Sequence, residues 1–202
     1  LTSALELRRG AKPETRALQL MPFAALAAIS IGMGALFLDL HYQIHVYRFY
    51  LAFKPASPMS WGSWTLGVIF PLSAIWALIN ARHIFPDYVK KINILEKAAV
   101  YFEKYSRHTA WAVLVFSVLL GMYTGILLSA FNARPLWNTP ILGLLFLVSG
   151  LSSAAAFVHL FARERFEREL LAKADNAFLT IELFVLFLFV TWMLSAGQVQ
   201  FE

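Results

Sequence analysis

Long unbroken apolar blocks, separated by shorter polar stretches, organise this chain. Five of them reach the length of about 20 residues that a helix needs to cross the hydrocarbon core of a bilayer. They predict spanning helices over roughly 18–38, 59–80, 109–131, 139–161 and 177–197. The blocks are continuous rather than alternating, which excludes barrel strands. An open sheet in lipid would leave backbone groups unpaired. The expected fold class is all-α: an integral membrane helix bundle with five transmembrane helices, forming a single transmembrane domain over 1–202. Between the second and third spans, Val89, Ile92, Leu95, Ala99 and Phe102 recur at helical spacing among lysines. That pattern predicts an amphipathic helix over about 87–105, lying on the membrane surface against lipid.

Composition agrees with the pattern. The chain is 59% hydrophobic and 14% charged, where a soluble domain has about half and a quarter. There is no cysteine, so this chain can form no disulfide and can hold no thiolate-ligated Fe–S cluster. No secretory leader precedes Leu1, so a processed or truncated chain is expected.

The net charge of +5 is a topology signal rather than a nucleic-acid signal, and no nucleic-acid partner is expected. Arg8, Arg9, Lys12 and Arg16 precede the first span. Arg82, Lys90, Lys91, Lys97, Lys104 and Arg107 follow the second, and Arg163, Arg165, Arg168 and Lys173 follow the fourth. Only Arg48, Lys54 and Arg134 lie on the other side. The positive-inside rule then puts the N-terminus in the cytoplasm and the C-terminus outward. Trp61, Trp64, Trp137 and Trp192 fall near outer span ends, and Trp76 and Trp111 near inner ends, where amphipathic rings are favoured.

Candidate chemistry gathers at the outer face. Asp39, His41, His45 and Arg48 lie in or beside the first outward loop, and Arg134 and Trp137 in the second. Ser57 before Pro58 and Thr139 before Pro140 read as helix N-caps with proline in the first helical position. The N-termini of the second and fourth spans therefore point their free N–H groups at this face, which suits an oxygen that gains negative charge. In the third span, Gly121 and Gly125 permit close helix approach and flank Tyr123. That phenol sits about 12 Å below the outer helix end, at 1.5 Å per residue, and must find a hydrogen-bond partner there. Glu182 falls about one turn inside the fifth span from its inner end, a candidate for proton handling. The histidines His41, His45, His83, His108 and His159 sit at span ends or in loops. His41 and His45 are four apart on one segment, which suits one helical face better than two haem sides; His83, His108 and His159 share the inner boundary and could in principle pair, but placement at span ends and in loops disfavours axial ligation, so no haem is expected. The stretch Ser149-Gly150-Leu151-Ser152-Ser153-Ala154-Ala155-Ala156 reads as a packing face.

Several runs carry a resemblance: Leu38-Asp39-Leu40 with Arg48-Phe49, Ser57-Pro58-Met59-Ser60-Trp61-Gly62, Tyr123-Thr124-Gly125, Pro135-Leu136-Trp137-Asn138-Thr139-Pro140, and Ser149-Gly150-Leu151-Ser152. Together they resemble the NrfD/PsrC family of polysulfide-reductase-type membrane subunits, over nearly the whole chain. The second and fourth runs are the specific ones. The resemblance implies a haem-free, quinone-interacting anchor in a bacterial or archaeal cytoplasmic membrane, using menaquinone or ubiquinone. It implies a four-cluster ferredoxin-like Fe–S partner subunit, here on the outward face near Arg134 and Trp137, and a molybdopterin-type or other catalytic subunit. By the same resemblance Tyr123 lies at the quinone site. Asp39 and His41 stand as its neighbours toward water, with Asp39 and Glu182 as proton-transfer candidates. Family members have eight or more spans, and this chain corresponds to the second to sixth, so a fragment or a reduced natural form is expected. A transporter or purely structural anchor is the alternative, and midplane ionisable residues would favour the former.

Overall fold

The computed structural model describes residues 2–9, 16–39, 44, 47, 51, 57–129 and 141–199. The helices are α1 (Thr2–Arg9), α2 (Arg16–Asp39), α3 (Pro58–Ile84), α4 (Pro86–Lys91), α5 (Asn93–Glu103), α6 (Ser106–Ser129), α7 (Ile141–Phe161) and α8 (Arg165–Val199), with no strand among the described residues. Five of them, α2, α3, α6, α7 and α8, are long and apolar enough to cross a membrane. The chain is an all-α membrane helix bundle.

Neighbours in sequence are neighbours in space. α2 packs on α3, α3 on α6, α6 on α7 and α7 on α8, while α2 also touches α7. Four helices thus surround a central space, with α8 packed on α7. Two apolar clusters close the end of the bundle where α2 begins and α3 ends: Leu18, Val158, Ala162 and Leu171, and Trp76, Ile79 and Ala110. α1 lies between them. Its Leu5 packs on the first cluster, Leu7 packs on the second, and Ser3 is buried. The apolar pattern predicts no element in this basic arm. Eight of its residues nevertheless form a helix against α6 and α2, because Leu5 and Leu7 find apolar partners among the helix ends there.

Local chemistry sets the helix ends. Ser57 takes the N-cap position of α3 in extended conformation (φ −104°, ψ 115°) with Pro58 next, yet its hydroxyl makes no cap bond. Its carbonyl accepts the Ser60 N–H at 3.0 Å instead. Pro86 lacks an N–H and stops α3 two residues earlier, the residue before a proline being driven out of the helical region. The surface segment expected as one helix over 87–105 is two, α4 and α5, joined at an extended Ile92 (φ −110°, ψ 94°). Val89 and Ala99 turn inward, while Tyr88, Ile94 and Tyr101 are exposed. Glu103 ties α5 to the end of α3 through Arg82 and through His83 Nε2, the latter at 2.9 Å.

The largest departure is α8. Its helix starts at Arg165, twelve residues before the expected start at 177. Only 162–164 separate it from α7, so the two form a tight antiparallel pair. Charged residues over 165–175 interrupt the apolar pattern, but Glu, Arg, Leu, Lys and Ala are good helix formers. The less exposed positions Glu167, Leu171, Asp175, Phe178, Glu182, Val185, Phe189 and Trp192 recur every three or four residues. This is one face of a helix, and it packs on α7.

Candidate functional site

Tyr123 occupies a gap left by a glycine. A methyl group placed on Gly62 would overlap the ring and the hydroxyl oxygen of Tyr123. Gly62 is the last residue of the Ser57–Gly62 run, and Tyr123 opens the Tyr123-Thr124-Gly125 run. Two sequence signals far apart along the chain therefore meet at one point. Gly62 is four residues into α3, about 6 Å from its N-terminus at 1.5 Å per residue. Tyr123 is six residues, about 9 Å, from the last residue of α6.

The same layer holds α6 against α7. A methyl group on Gly125 would overlap the Gly143 backbone, and one on Gly121 would lie 2.9 Å from Leu147 Cδ1. Both glycines expected to permit close approach do so, and their partner is α7. Gly143 is two residues into α7. Tyr123 consequently stands beside the second turn of α3, two residues along α6 from the Gly125 contact with the start of α7, and helix N-termini carry partial positive charge. Ser63, buried beside Gly62, donates to the Ser60 carbonyl at 2.8 Å. Thr124 turns its hydroxyl back to the Gly121 carbonyl at 2.9 Å, which leaves Tyr123 as the phenol of this layer. The tyrosine is half-buried.

Asp39 is the last residue of α2 and is exposed. It lies at the same end of the bundle as the start of α3, since Leu18, near the other end of α2, packs with Val158 and Ala162. His41, Arg134 and Trp137 lie outside the described residues, as do His45, Arg48 and the Pro135–Pro140 run.

Glu182 stands elsewhere than the apolar pattern predicts. The Ser152 hydroxyl donates to an Asp175 carboxylate oxygen at 3.1 Å, which fixes the register of α8 on α7. Ser152 is near the middle of α7, eleven residues after Ile141 and nine before Phe161. Glu182 is seven residues beyond Asp175, about 10 Å further toward the Ile141 end. It is level with the first turns of α7 and so in the layer of Tyr123, far from the inner boundary. The expected position follows from starting the span at 177. The acid at mid-depth is Asp175, which falls outside a span drawn from apolarity. A signal for it is present in the sequence: 167, 171, 175, 178, 182 and 185 keep helical spacing through the charged stretch.

Trp76 also departs from expectation. It is 3% exposed and faces inward rather than toward a lipid headgroup. Trp61, Trp64 and Trp111 are about half exposed at helix ends, as amphipathic rings at an interface are. Among the described residues no group of three His, Asp or Glu side chains is arranged to hold a metal ion, and His83 is engaged with Glu103.

Length, apolarity and packing define a multi-pass membrane helix bundle in which the Ser57–Gly62 and Tyr123–Gly125 runs meet near the start of α3. The family model described as polysulphide reductase, NrfD, matches residues 1–201; the chain belongs to the NrfD family. Over 132 residues it is 34% identical to the C subunit of polysulfide reductase from Wolinella succinogenes, a match covering 64% of this chain and 41% of that protein. Over 133 residues it is 31% identical to protein NrfD of Escherichia coli (strain K12), covering 64% of this chain and 42% of that one. A protein NrfD homolog of Haemophilus influenzae is 34% identical over 90 residues, 45% of this chain and 26% of its own length. The matches thus span less than half the length of these relatives. No solved structure matches the chain.

Proposed function

We propose that this chain is the quinone-exchanging membrane anchor of a respiratory oxidoreductase, passing electrons between the quinone pool and an Fe–S partner subunit. The observation that carries the reading is the seat of Tyr123 against Gly62, near the start of α3. The residues fit a quinone headgroup: a phenol donor at membrane depth, and two helix N-termini whose dipoles favour an oxygen gaining negative charge. A bound quinone would take up or release two electrons and two protons. Tyr123 would hold one headgroup oxygen by donating its O–H. Asp39, exposed at the same end, would exchange protons with water, with His41 beside it. Arg134 and Trp137 would anchor the Fe–S subunit on this face, as arginine and tryptophan do at interfaces. The polysulfide reductase name of the Wolinella relative supports such a subunit arrangement.

The acids of α8 support a coupling to proton movement. Glu167, Asp175 and Glu182 share the face that packs on α7 and are spread through the membrane depth. Intramembrane acids at such positions are costly unless used. Successive acids are about 10–12 Å apart along the axis, so hydroxyls such as that of Ser152, or water, would have to bridge them.

Tyr123→Phe tests the reading, since it removes the hydroxyl and keeps the ring. Quinone-linked turnover of the assembled complex should fall, while turnover of the catalytic partner with a soluble artificial acceptor stays at the wild-type rate. Wild-type quinone turnover in that variant would remove Tyr123 from the site.

A further inference from the structure

The bundle encloses a cavity beside the buried Trp76. This cavity, of about 330 Å³, lies between α1, α2, α3, α6 and α7 and is touched by Phe178 of α8. Its volume is at the lower end of the roughly 300–1,000 Å³ of small-molecule sites. The walls are mainly apolar, Pro22 and Leu151 among them, with Thr2, Ser3, Ser73, Ser117 and Trp76 as the polar residues, and no described lining residue is ionisable. Trp76 stands out. It is 97% buried, and its indole Nε1 has no hydrogen-bond partner among the described residues. An indole N–H can only donate, and leaving a buried donor unpaired is costly. The carbonyl of Trp76 is already used by the Asn80 amide at 2.8 Å, so the unmet need is for an acceptor at the ring.

We propose that this cavity binds a neutral apolar molecule that presents a carbonyl oxygen to the Trp76 indole N–H. The lack of ionisable walls selects an uncharged guest, because a charge buried here would have no partner. Two bilayer components offer a carbonyl at the head of an apolar tail: a quinone, and a protonated free fatty acid. A phospholipid ester fits poorly. Trp76 is eight residues, about 12 Å, from the inner end of α3, deeper than headgroup esters lie. The Trp76 end of the cavity lies away from Tyr123, since Gly62 and Trp76 are fourteen residues, about 21 Å, apart along α3, while Leu147 at its other end borders the layer of Gly121. The proposal leans on the quinone reading only for one of the two sources.

Photolabelling of the full chain in its native membranes tests it, with an azido-benzoquinone on a short alkyl tail and a diazirine fatty acid as the two probes. Saturable labelling of α3 around Ser73 and Trp76, or of α6 around Ser117, is expected from at least one probe, and the productive probe names the source. Trp76→Phe should weaken that labelling about 2- to 10-fold, and Ser117→Phe, which fills the cavity from a more exposed wall, should abolish it. Tyr123→Phe should leave it unchanged, so the inner site and the Tyr123 site fail independently. Absence of inner labelling by both probes at saturation would overturn the proposal. So would labelling of an assembled Trp76→Phe protein with wild-type affinity.

Discussion

A single hydrogen at Gly62 decides where the Tyr123 phenol stands. Any side chain there would occupy the space of the tyrosine ring, and α6 would have to move or the ring rotate. Gly62→Ala is therefore expected to act at two levels. Overpacking of this kind costs about 1–3 kcal/mol of stability, and quinone-linked turnover should drop at least as far as in Tyr123→Phe, because the hydroxyl is displaced rather than deleted. Thermal unfolding of the detergent-solubilised protein and turnover of the assembled complex measure the two effects. Wild-type turnover in Gly62→Ala would separate the glycine from the site. Tyr123 and the Ser57–Gly62 run are visible as motifs in the sequence, but their contact is not. About sixty residues separate them, and a glycine carries no periodic signal of its partner.

At the scale of elements, hydrophobic length makes five spanning helices legible, since a bilayer tolerates only closed backbone hydrogen bonding. It fails where apolarity and helicity part company. The first three turns of α8 carry charge on the exposed side and, at Glu167 and Asp175, on the packed face, and are helical throughout, so a span drawn from apolarity alone begins late. That shift places Glu182 at the inner boundary instead of in the layer of Tyr123, and it hides Asp175. α4 and α5 read as one helix because Val89, Ile92, Leu95, Ala99 and Phe102 keep helical spacing across the extended Ile92. The acid face of α8 has a testable consequence. Asp175→Asn keeps a hydrogen-bonding side chain beside Ser152 but cannot carry a proton. Proton movement per electron, measured in proteoliposomes holding the complex, should fall while electron transfer in uncoupled membranes persists. Unchanged proton movement in this variant would limit Asp175 to packing α8 on α7.

At the scale of the whole molecule, α2 and α8 are the least buried spans, with side chains such as Ile31, Leu38, Leu183 and Phe187 exposed. These flanks suit lipid or further protein, as a helix apolar on all sides does. Which way the bundle faces rests on the basic residues, fourteen of the seventeen falling on one side. The absence of cysteine makes single-cysteine labelling free of background. A cysteine at position 90, in place of an exposed lysine, should react from the cytoplasmic side, and one in place of Arg134 only from the outer side. Cytoplasmic labelling at the Arg134 position would invert the topology and move the Fe–S partner to the other face.

Equilibrium binding of a short-chain quinone analogue to the assembled complex tests the central claim most directly, comparing wild type with Tyr123→Phe. One neutral hydrogen bond from the phenol is worth about 0.5–1.5 kcal/mol, so Kd should rise about 2- to 10-fold with the complex intact. An unchanged Kd in a fully assembled Tyr123→Phe complex would contradict the account.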